Sequence, residues 1–194
     1  MPDEPLPRDP VVLPLGPCLL DVPRVGDVEA IEAALADPDI ALWNPGARRT
    51  GLTARERARL WVADRAAWTD EHASWVVRDA DGTVVGQVSL HQIDPRNGSA
   101  EVGYWLAPAG RGRGLATHAL DTAARFAFDV LELARVELFH ATGNVASCGV
   151  AERAGFPLEG TARQSFVYGD GQRHDEHVHA RLATDPAPHL DPLR

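Results

Sequence analysis

Positions 99–130 read SAEVGYWLAPAGRGRGLATHALDTAARFAFDV, which predicts a strand, a glycine turn and a helix in succession. Apolar and aromatic residues are interleaved with others over 99–105, as in a strand with one buried face. The strand pattern ends at Ala107-Pro108-Ala109-Gly110. The next four residues, Arg111-Gly112-Arg113-Gly114, are termed the glycine turn. The predicted helix then follows, and its spacing puts these residues on one face: Leu115, Ala119, Thr122, Phe126 and Val130.

A strand, a glycine turn and a helix together can hold a phosphate group. Backbone N–H groups of the turn and the positive end of the helix dipole point at one spot, with Arg111 and Arg113 beside it. The dinucleotide pattern would need a third glycine where Thr117 stands, and the nucleotide phosphate loop would need a lysine, which the chain lacks. The pattern that fits is Arg/Gln-x-x-Gly-x-Gly/Ala, met by Arg111, Gly114 and Ala116.

Length and composition indicate one well-cored globular domain of 194 residues. The formal net charge of −9 argues against a nucleic-acid partner and suits a cationic substrate such as an amine. The two cysteines have no metal-type spacing, and the N-terminus is acidic and proline-rich, unlike a signal peptide. No apolar run approaches the ~18 residues that span a bilayer. We therefore expect a cytoplasmic protein with no membrane partner.

The predicted organisation is a single domain at 18–183, between a flexible extension at 1–17 and a loose tail at 184–194. Predicted helices lie at 28–36, ended by Asp37-Pro38, and at 54–69, 115–130 and 145–153. Predicted strands lie at 19–22, 74–78, 83–93, 99–105, 135–141, 156–168 and 175–182. This order predicts an α+β fold, in which a mixed sheet is flanked by helices.

Four motif pieces, in order, resemble the GNAT superfamily of acyl-coenzyme A N-acyltransferases. The core pattern lies at 101–116, and the resemblance covers roughly 74–182. Gly103-Tyr104-Trp105-Leu106, Asn144-x-x-Ser147 and the closing Gly155-Phe156 are most similar to the RimJ/RimL-like branch, which acetylates ribosomal-protein N-termini. The resemblance implies the GNAT fold, with a mixed, mostly antiparallel sheet and helices on both faces.

The resemblance also implies acetyl-coenzyme A as co-substrate. Its pyrophosphate would bind N–H groups at 113–116, and its pantetheine arm would run along 104–106, where the N–H of Trp105 or Leu106 could polarise the thioester carbonyl. A family bulge would fall at Gly103. Asn144 would contact the cofactor arm or cap a helix. The implied binding set is Tyr104, Trp105, Leu106, Arg111, Gly112, Arg113, Gly114, Leu115, Ala116 and Asn144.

Two side chains are the candidates for proton transfer. Glu101 would take a proton from the amine, directly or through water; the alternative is a solvated or ion-paired strand glutamate. Ser147 would donate to the departing thiolate, a role that many family members give to a tyrosine where this chain has Ala151. The alternative for Ser147 is helix capping.

Other polar residues carry weaker predictions. His140 is a second candidate base or a satisfied strand histidine. His174, His177 and His179 invite a metal, but no cysteine or carboxylate spacing completes a zinc set, so we expect none. Cys148 has no assigned base, which favours a buried structural thiol and direct acetyl transfer. Trp43, Trp61 and Trp68 lie where the family builds its acceptor pocket, although core packing is expected for most of them.

The predicted function is therefore N-acetyl transfer from acetyl-coenzyme A to a primary amine. The acceptor would be a protein N-terminal α-amine or a small-molecule amine, in a pocket formed by the N-terminal helices and the final hairpin. The alternative is a coenzyme A-binding sensor or interaction module that has lost turnover. A homodimer is left open.

Overall fold

The structure is a computed structural model that describes residues 10–45 and 51–193. Within these ranges, the strands are β1 (Leu13–Leu15), β2 (Cys18–Asp21), β3 (His72–Arg78), β4 (Val84–Asp94), β5 (Ser99–Leu106), β6 (Arg135–Ala141), β7 (Leu158–Val167) and β8 (Arg173–Leu182). The α-helices are α1 (Val28–Leu35), α2 (Pro38–Trp43), α3 (Ala54–Ala66), α4 (Leu115–Asp129) and α5 (Val145–Arg153). None of these described helices has the length and apolar character that crossing a membrane requires.

The described strands form one sheet in the order β1-β2-β3-β4-β5-β6-β8-β7. Neighbouring strands are antiparallel except β5 and β6, which are parallel. The parallel pair arises because α4 carries the chain back across the sheet between them. The predicted α+β class and the mixed, mostly antiparallel sheet are confirmed.

Helices cover both faces of the sheet, as predicted. On one face, α4 buries Leu115, Leu120 and Phe126 in the larger core. On the opposite face, α1 and α3 pack in a smaller core. The predicted face of α4 was partly wrong, because Val130 is 52% exposed and follows the helix end at Asp129. The buried stripe instead continues through Ala123, Ala124 and Ala127.

The N-terminal section differs from the prediction. Residues 13–15, expected in a flexible extension, form β1, which pairs with β2 at the sheet edge. Pro14 fits there because an edge strand tolerates a missing N–H. Asp37 and Pro38 end α1 as expected, but they also begin α2, since the Asp37 carboxylate accepts from the Asp39 and Ile40 N–H groups. Residues 1–9 of the predicted extension lie outside the described residues.

The C-terminal tail, predicted to be loose, packs against the domain. Leu193 packs against the larger core. The ring of His118 contacts the Asp191 carbonyl at 3.0 Å through Nε2 and the Gly114 carbonyl at 3.1 Å through Nδ1. The tail therefore lies against the start of α4. Arg194 falls outside the described residues.

No bulge lies at Gly103 on the β4 side of β5, although β5 does part from β6 just before this residue, after Glu101. β4 and β5 keep a regular register from Gly86↔Leu106 to His91↔Glu101, with Gly103 opposite Ser89. The irregularity falls between His91 and Asp94, where Gln92 adopts a φ of 49°. That left-handed residue absorbs the extra length in β4, so β5 runs without interruption.

Candidate functional site

A cavity of about 910 Å³ opens where β5 and β6 part. The two strands pair only over Ser99↔Arg135, Ala100↔Val136 and Glu101↔Glu137. Beyond Glu101, therefore, β5 has no partner on its β6 side, and alternate backbone groups there face the cavity. The walls come from the second half of β5, the end of β6, the glycine turn, the starts of α4 and α5, and from Trp43 and Tyr168.

The glycine turn presents open backbone N–H groups to this cavity. Gly114 is the N-cap of α4 and has a φ of 78°, a left-handed conformation that favours glycine. It offers no side-chain cap, and none of the N–H groups at 112–117 finds an acceptor in the described part of the chain. These groups and the α4 dipole suit an anion. The residues present therefore fit a pyrophosphate.

The two arginines of the turn have carboxylate partners. Arg111 contacts Asp37 at 2.6 Å and Asp39 at 3.0 Å, and its Nε donates to the Leu106 carbonyl. Arg113 contacts Asp79 through two nitrogens, at 2.6 and 3.1 Å. This pairing holds the pKa of the Asp79 carboxyl well below its usual range. Arg111 lines the cavity, whereas Arg113 is not part of its wall.

The two arginines were predicted to lie beside a phosphate, and the structure shows that both also form ion pairs with carboxylates. They fasten the glycine turn to the start of α2 and to the β3–β4 turn. The positive charge available to an anion therefore comes mainly from the backbone N–H groups and the helix dipole. Gly112, Gly114, Leu115 and Ala116, from the predicted binding set, all line the cavity.

Tyr104, Asn144 and Ser147 meet at the start of α5. The Tyr104 hydroxyl donates to Ser147 Oγ at 3.1 Å, and Asn144 Oδ1 accepts from the Ser147 N–H at 3.2 Å. Burial raises the pKa of the Tyr104 hydroxyl, so it stays protonated and remains a donor. With its oxygen already accepting, Ser147 has its own proton to donate. All three residues line the cavity, and Asn144 caps α5.

Glu101 lies just outside the cavity wall. Its carboxylate accepts from Gln92 Nε2 at 2.7 Å and is 3.4 Å from His91 Nε2. Its side chain is 27% exposed, so water can reach it. Val102 and Gly103, the next residues of β5, do line the cavity. A proton relay from Glu101 into the cavity would therefore run through water.

The N-terminal helices and the final hairpin meet at the cavity mouth. Trp43 packs edge-on against Tyr168, with ring centroids 5.7 Å apart, and both line the cavity. The Gly169 N–H donates to the Leu42 carbonyl at 2.9 Å, and a Cβ at Gly169 would lie 2.0 Å from the Ala41 carbonyl oxygen. Glycine is therefore required for this close approach. Trp61 and Trp68, by contrast, are buried in the two cores.

A histidine–cysteine cluster lies beneath the cavity, made of His140, Cys148, His177 and His179. One nitrogen or sulfur of each lies within 4.8 Å of the others. No spacing in the sequence reveals this grouping, because Cys148 comes from α5 and the histidines come from β6 and β8. Sequence spacing left the histidine set without a cysteine, whereas the fold places Cys148 beside it. His174 stands apart, 2.8 Å from Asp170.

Cys148 is a poor candidate for an acyl-carrying nucleophile. Burial raises the pKa of its thiol, and the nearby Glu152 carboxylate raises it further. A thiol without thiolate character reacts slowly. His140, the second candidate base, lines the cavity, but burial lowers its pKa and its Nδ1 is engaged by the Ala141 carbonyl at 2.8 Å.

Comparison with known proteins gives a consistent result. Residues 18–157 match the acetyltransferase (GNAT) domain family. The chain is 44% identical over 95 residues to the putative ribosomal N-acetyltransferase YdaF of Bacillus subtilis, covering 49% of this chain and 51% of YdaF. It is 32% identical over 92 residues to spermidine N(1)-acetyltransferase of Vibrio cholerae, covering 47% of this chain and 53% of that enzyme. The match thus spans about half the length of each relative.

Among solved structures, the Mycobacterium smegmatis RimJ in complex with a CoA-disulfide superposes with a TM-score of 0.72. It is 26% identical, and the superposition covers 89% of this chain and 87% of that one. The shared fold therefore extends beyond the sequence matches to nearly the whole chain.

Proposed function

The chain belongs to the GNAT acetyltransferase domain family, and from that premise we propose that it transfers an acetyl group from acetyl-coenzyme A directly to a primary amine. The observation that carries this proposal is the row of open N–H groups at 112–117, at one end of a cavity walled by the unpaired side of β5. An anionic head and an extended, amide-containing arm are the ligand features that such a cavity matches.

On the donor side, the chain's own groups would divide the work as follows. The N–H groups of the glycine turn and the first turn of α4 bind the pyrophosphate, and the β5 backbone at 104–106 aligns the pantetheine arm. When bound, acetyl-coenzyme A supplies the activated acetyl group. An N–H near Trp105 or Leu106 polarises the thioester carbonyl, and Ser147, held by Tyr104, donates its proton toward the departing sulfur.

On the acceptor side, the amine must lose a proton before or during attack. Glu101 takes that proton through water, while Gln92 and His91 fix the position of its carboxylate. The mouth between Trp43 and Tyr168 admits the amine, and the net charge of −9 favours a cation. The likeness to YdaF supports a protein α-amine as acceptor, whereas the likeness to the spermidine enzyme supports a polyamine.

Two further features belong to this proposal. Cys18 and Cys148 are both free thiols, which supports a protein that acts in the reducing cytoplasm.

A homodimer is the proposed alternative to a monomer. The molecular mass of the purified chain in sedimentation equilibrium tests it.

The experiment is product analysis by mass spectrometry. The protein is incubated with acetyl-coenzyme A and a panel of peptides with free N-termini, the same peptides with blocked N-termini, and spermidine. We expect one acetyl group on a free amine and none on the blocked controls. Binding of acetyl-coenzyme A with no product across the panel would favour the sensor, a reading that the position of Glu101 outside the cavity wall supports.

A further inference from the structure

The histidine–cysteine cluster is assembled by strand register. His140 on β6 lies directly opposite His177 on β8, and His179 is two residues further along β8, on the same face. Cys148, in the first turns of α5, lies against that face, with Sγ 3.8 Å from His179 Nε2. His140 and His179 are buried, while Cys148 and His177 are half-buried. Three elements thus bring four metal-binding side chains to one place.

The two buried rings, His140 and His179, point their Nε2 atoms at each other. His140 Nδ1 is 2.8 Å from the Ala141 carbonyl, and His179 Nδ1 is 2.9 Å from the Phe156 carbonyl. A carbonyl only accepts, so both Nδ1 atoms carry protons. In the neutral rings both Nε2 atoms then present lone pairs, only 3.2 Å apart. Such a contact is favourable only when a positive charge lies between the two nitrogens, either an extra proton on one ring or a metal ion.

The surroundings resemble those of a metal ligand set. Metal-binding histidines commonly donate their second N–H to a backbone carbonyl, as both buried rings do here. His177 adds a buried Nδ1 that has no hydrogen-bond partner in the described part of the chain. Tetrahedral zinc, with Zn–N of about 2.0–2.1 Å and Zn–S of about 2.3 Å, places ligand atoms about 3.3 Å (N to N) and about 3.6 Å (N to S) apart. The observed distances, 3.2 Å between His140 Nε2 and His179 Nε2 and 3.8 Å between Cys148 Sγ and His179 Nε2, are close to these ligand-to-ligand values.

We propose that His140, Cys148, His177 and His179 bind one zinc ion in a closed, four-ligand site. Three imidazoles and one thiolate suit this borderline-soft, tetrahedral cation, and binding releases the Cys148 thiol proton. The ion ties α5 to β6 and β8. Because Ser147 immediately precedes Cys148, the site also fixes the start of α5 at the cavity wall.

The test is a cobalt titration of the whole 194-residue chain after treatment with a chelator, followed by displacement with zinc. We expect one Co²⁺ per chain, with the intense visible bands of tetrahedral cobalt and a thiolate-to-cobalt charge-transfer band in the near ultraviolet. Cys148→Ser should abolish the charge-transfer band, and His177→Asn should weaken binding by at least about tenfold. The matched controls are Cys18→Ser, for the other thiol, and His174→Asn, on the same strand but outside the cluster; both should keep the spectrum.

Thermal unfolding gives a second readout. At one fixed zinc concentration, the melting temperature should rise by the same amount for the wild type and His174→Asn, and by clearly less for Cys148→Ser. Pale octahedral bands, or a charge-transfer band that survives Cys148→Ser, would overturn the proposal. Absence of binding by the folded wild-type chain would overturn it too, so the result does not depend on whether His177→Asn folds.

Discussion

Asp121→Ala should destabilise the protein strongly, because it leaves a buried charge without its counterion. The Arg181 side chain is 4% exposed, and its Nη1 contacts Asp121 Oδ1 at 2.7 Å and the Ala154 carbonyl at 3.2 Å. Arg181 Nε is buried and has no partner among the described residues, and within them Asp121 is the carboxylate paired with this guanidinium. Removing one partner of such a pair costs about 3–5 kcal/mol.

The matched control is Asp129→Ala, the same substitution at an exposed position on the same helix. It should change the free energy of unfolding by no more than about 0.5 kcal/mol. Urea unfolding measures both, and the thermal midpoint of Asp121→Ala should fall by roughly 6–20 °C for a domain of this size. Adding Arg181→Met to Asp121→Ala removes the stranded charge and should restore part of the loss.

Two results would refute this reasoning. One is a loss below about 1 kcal/mol for Asp121→Ala, which would mean that water reaches Arg181. The other is a double variant as unstable as the single one, which would place the cost in packing rather than in charge.

Three further predictions concern the cavity. Gly114→Ala must either hold a φ near 78° or turn the N–H groups of the glycine turn away, so the dissociation constant for coenzyme A, measured by calorimetric titration, should rise about tenfold or more. The control is Gly82→Ala, at a φ of 89° in the β3–β4 turn, which should leave this dissociation constant unchanged. Ser147→Ala should lower kcat by at least about tenfold without weakening coenzyme binding. Full turnover would exclude proton donation by the Ser147 hydroxyl and leave only its backbone N–H, which Asn144 caps. Glu101→Gln should lower kcat and remove the acid limb of the pH–rate profile, because a carboxylate base must be ionised, whereas the control Glu71→Gln, at an exposed position, should keep that limb. Identical pH–rate profiles for Glu101→Gln and the wild type would exclude Glu101 as the base.

Local sequence patterns predicted most elements because their determinants are local. The helix after Thr53 begins as expected, since Thr53 and Glu56 form a capping box. β6 and α5 have the predicted limits, 135–141 and 145–153. Asp37-Pro38 predicts the end of α1, but aspartate followed by proline also starts a helix, and α2 begins at this position.

What the sequence could not predict depends on contacts between distant residues. The pairing of Arg111 with Asp37 and of Arg113 with Asp79 joins positions more than thirty residues apart. The approach of Cys148 to His179 depends on how α5 packs against β8, which no spacing rule encodes. The open side of β5 likewise follows from where β6 stops pairing.

Amide hydrogen exchange with and without acetyl-coenzyme A tests most directly whether the backbone at 112–117 binds the coenzyme. These N–H groups have no acceptor in the described chain, so they should exchange rapidly in the free protein and become protected on binding, together with 104–106. Helix α3 lies outside the cavity wall and should not change. Bound coenzyme with no added protection at 112–117 would contradict the assignment of the glycine turn as the pyrophosphate site.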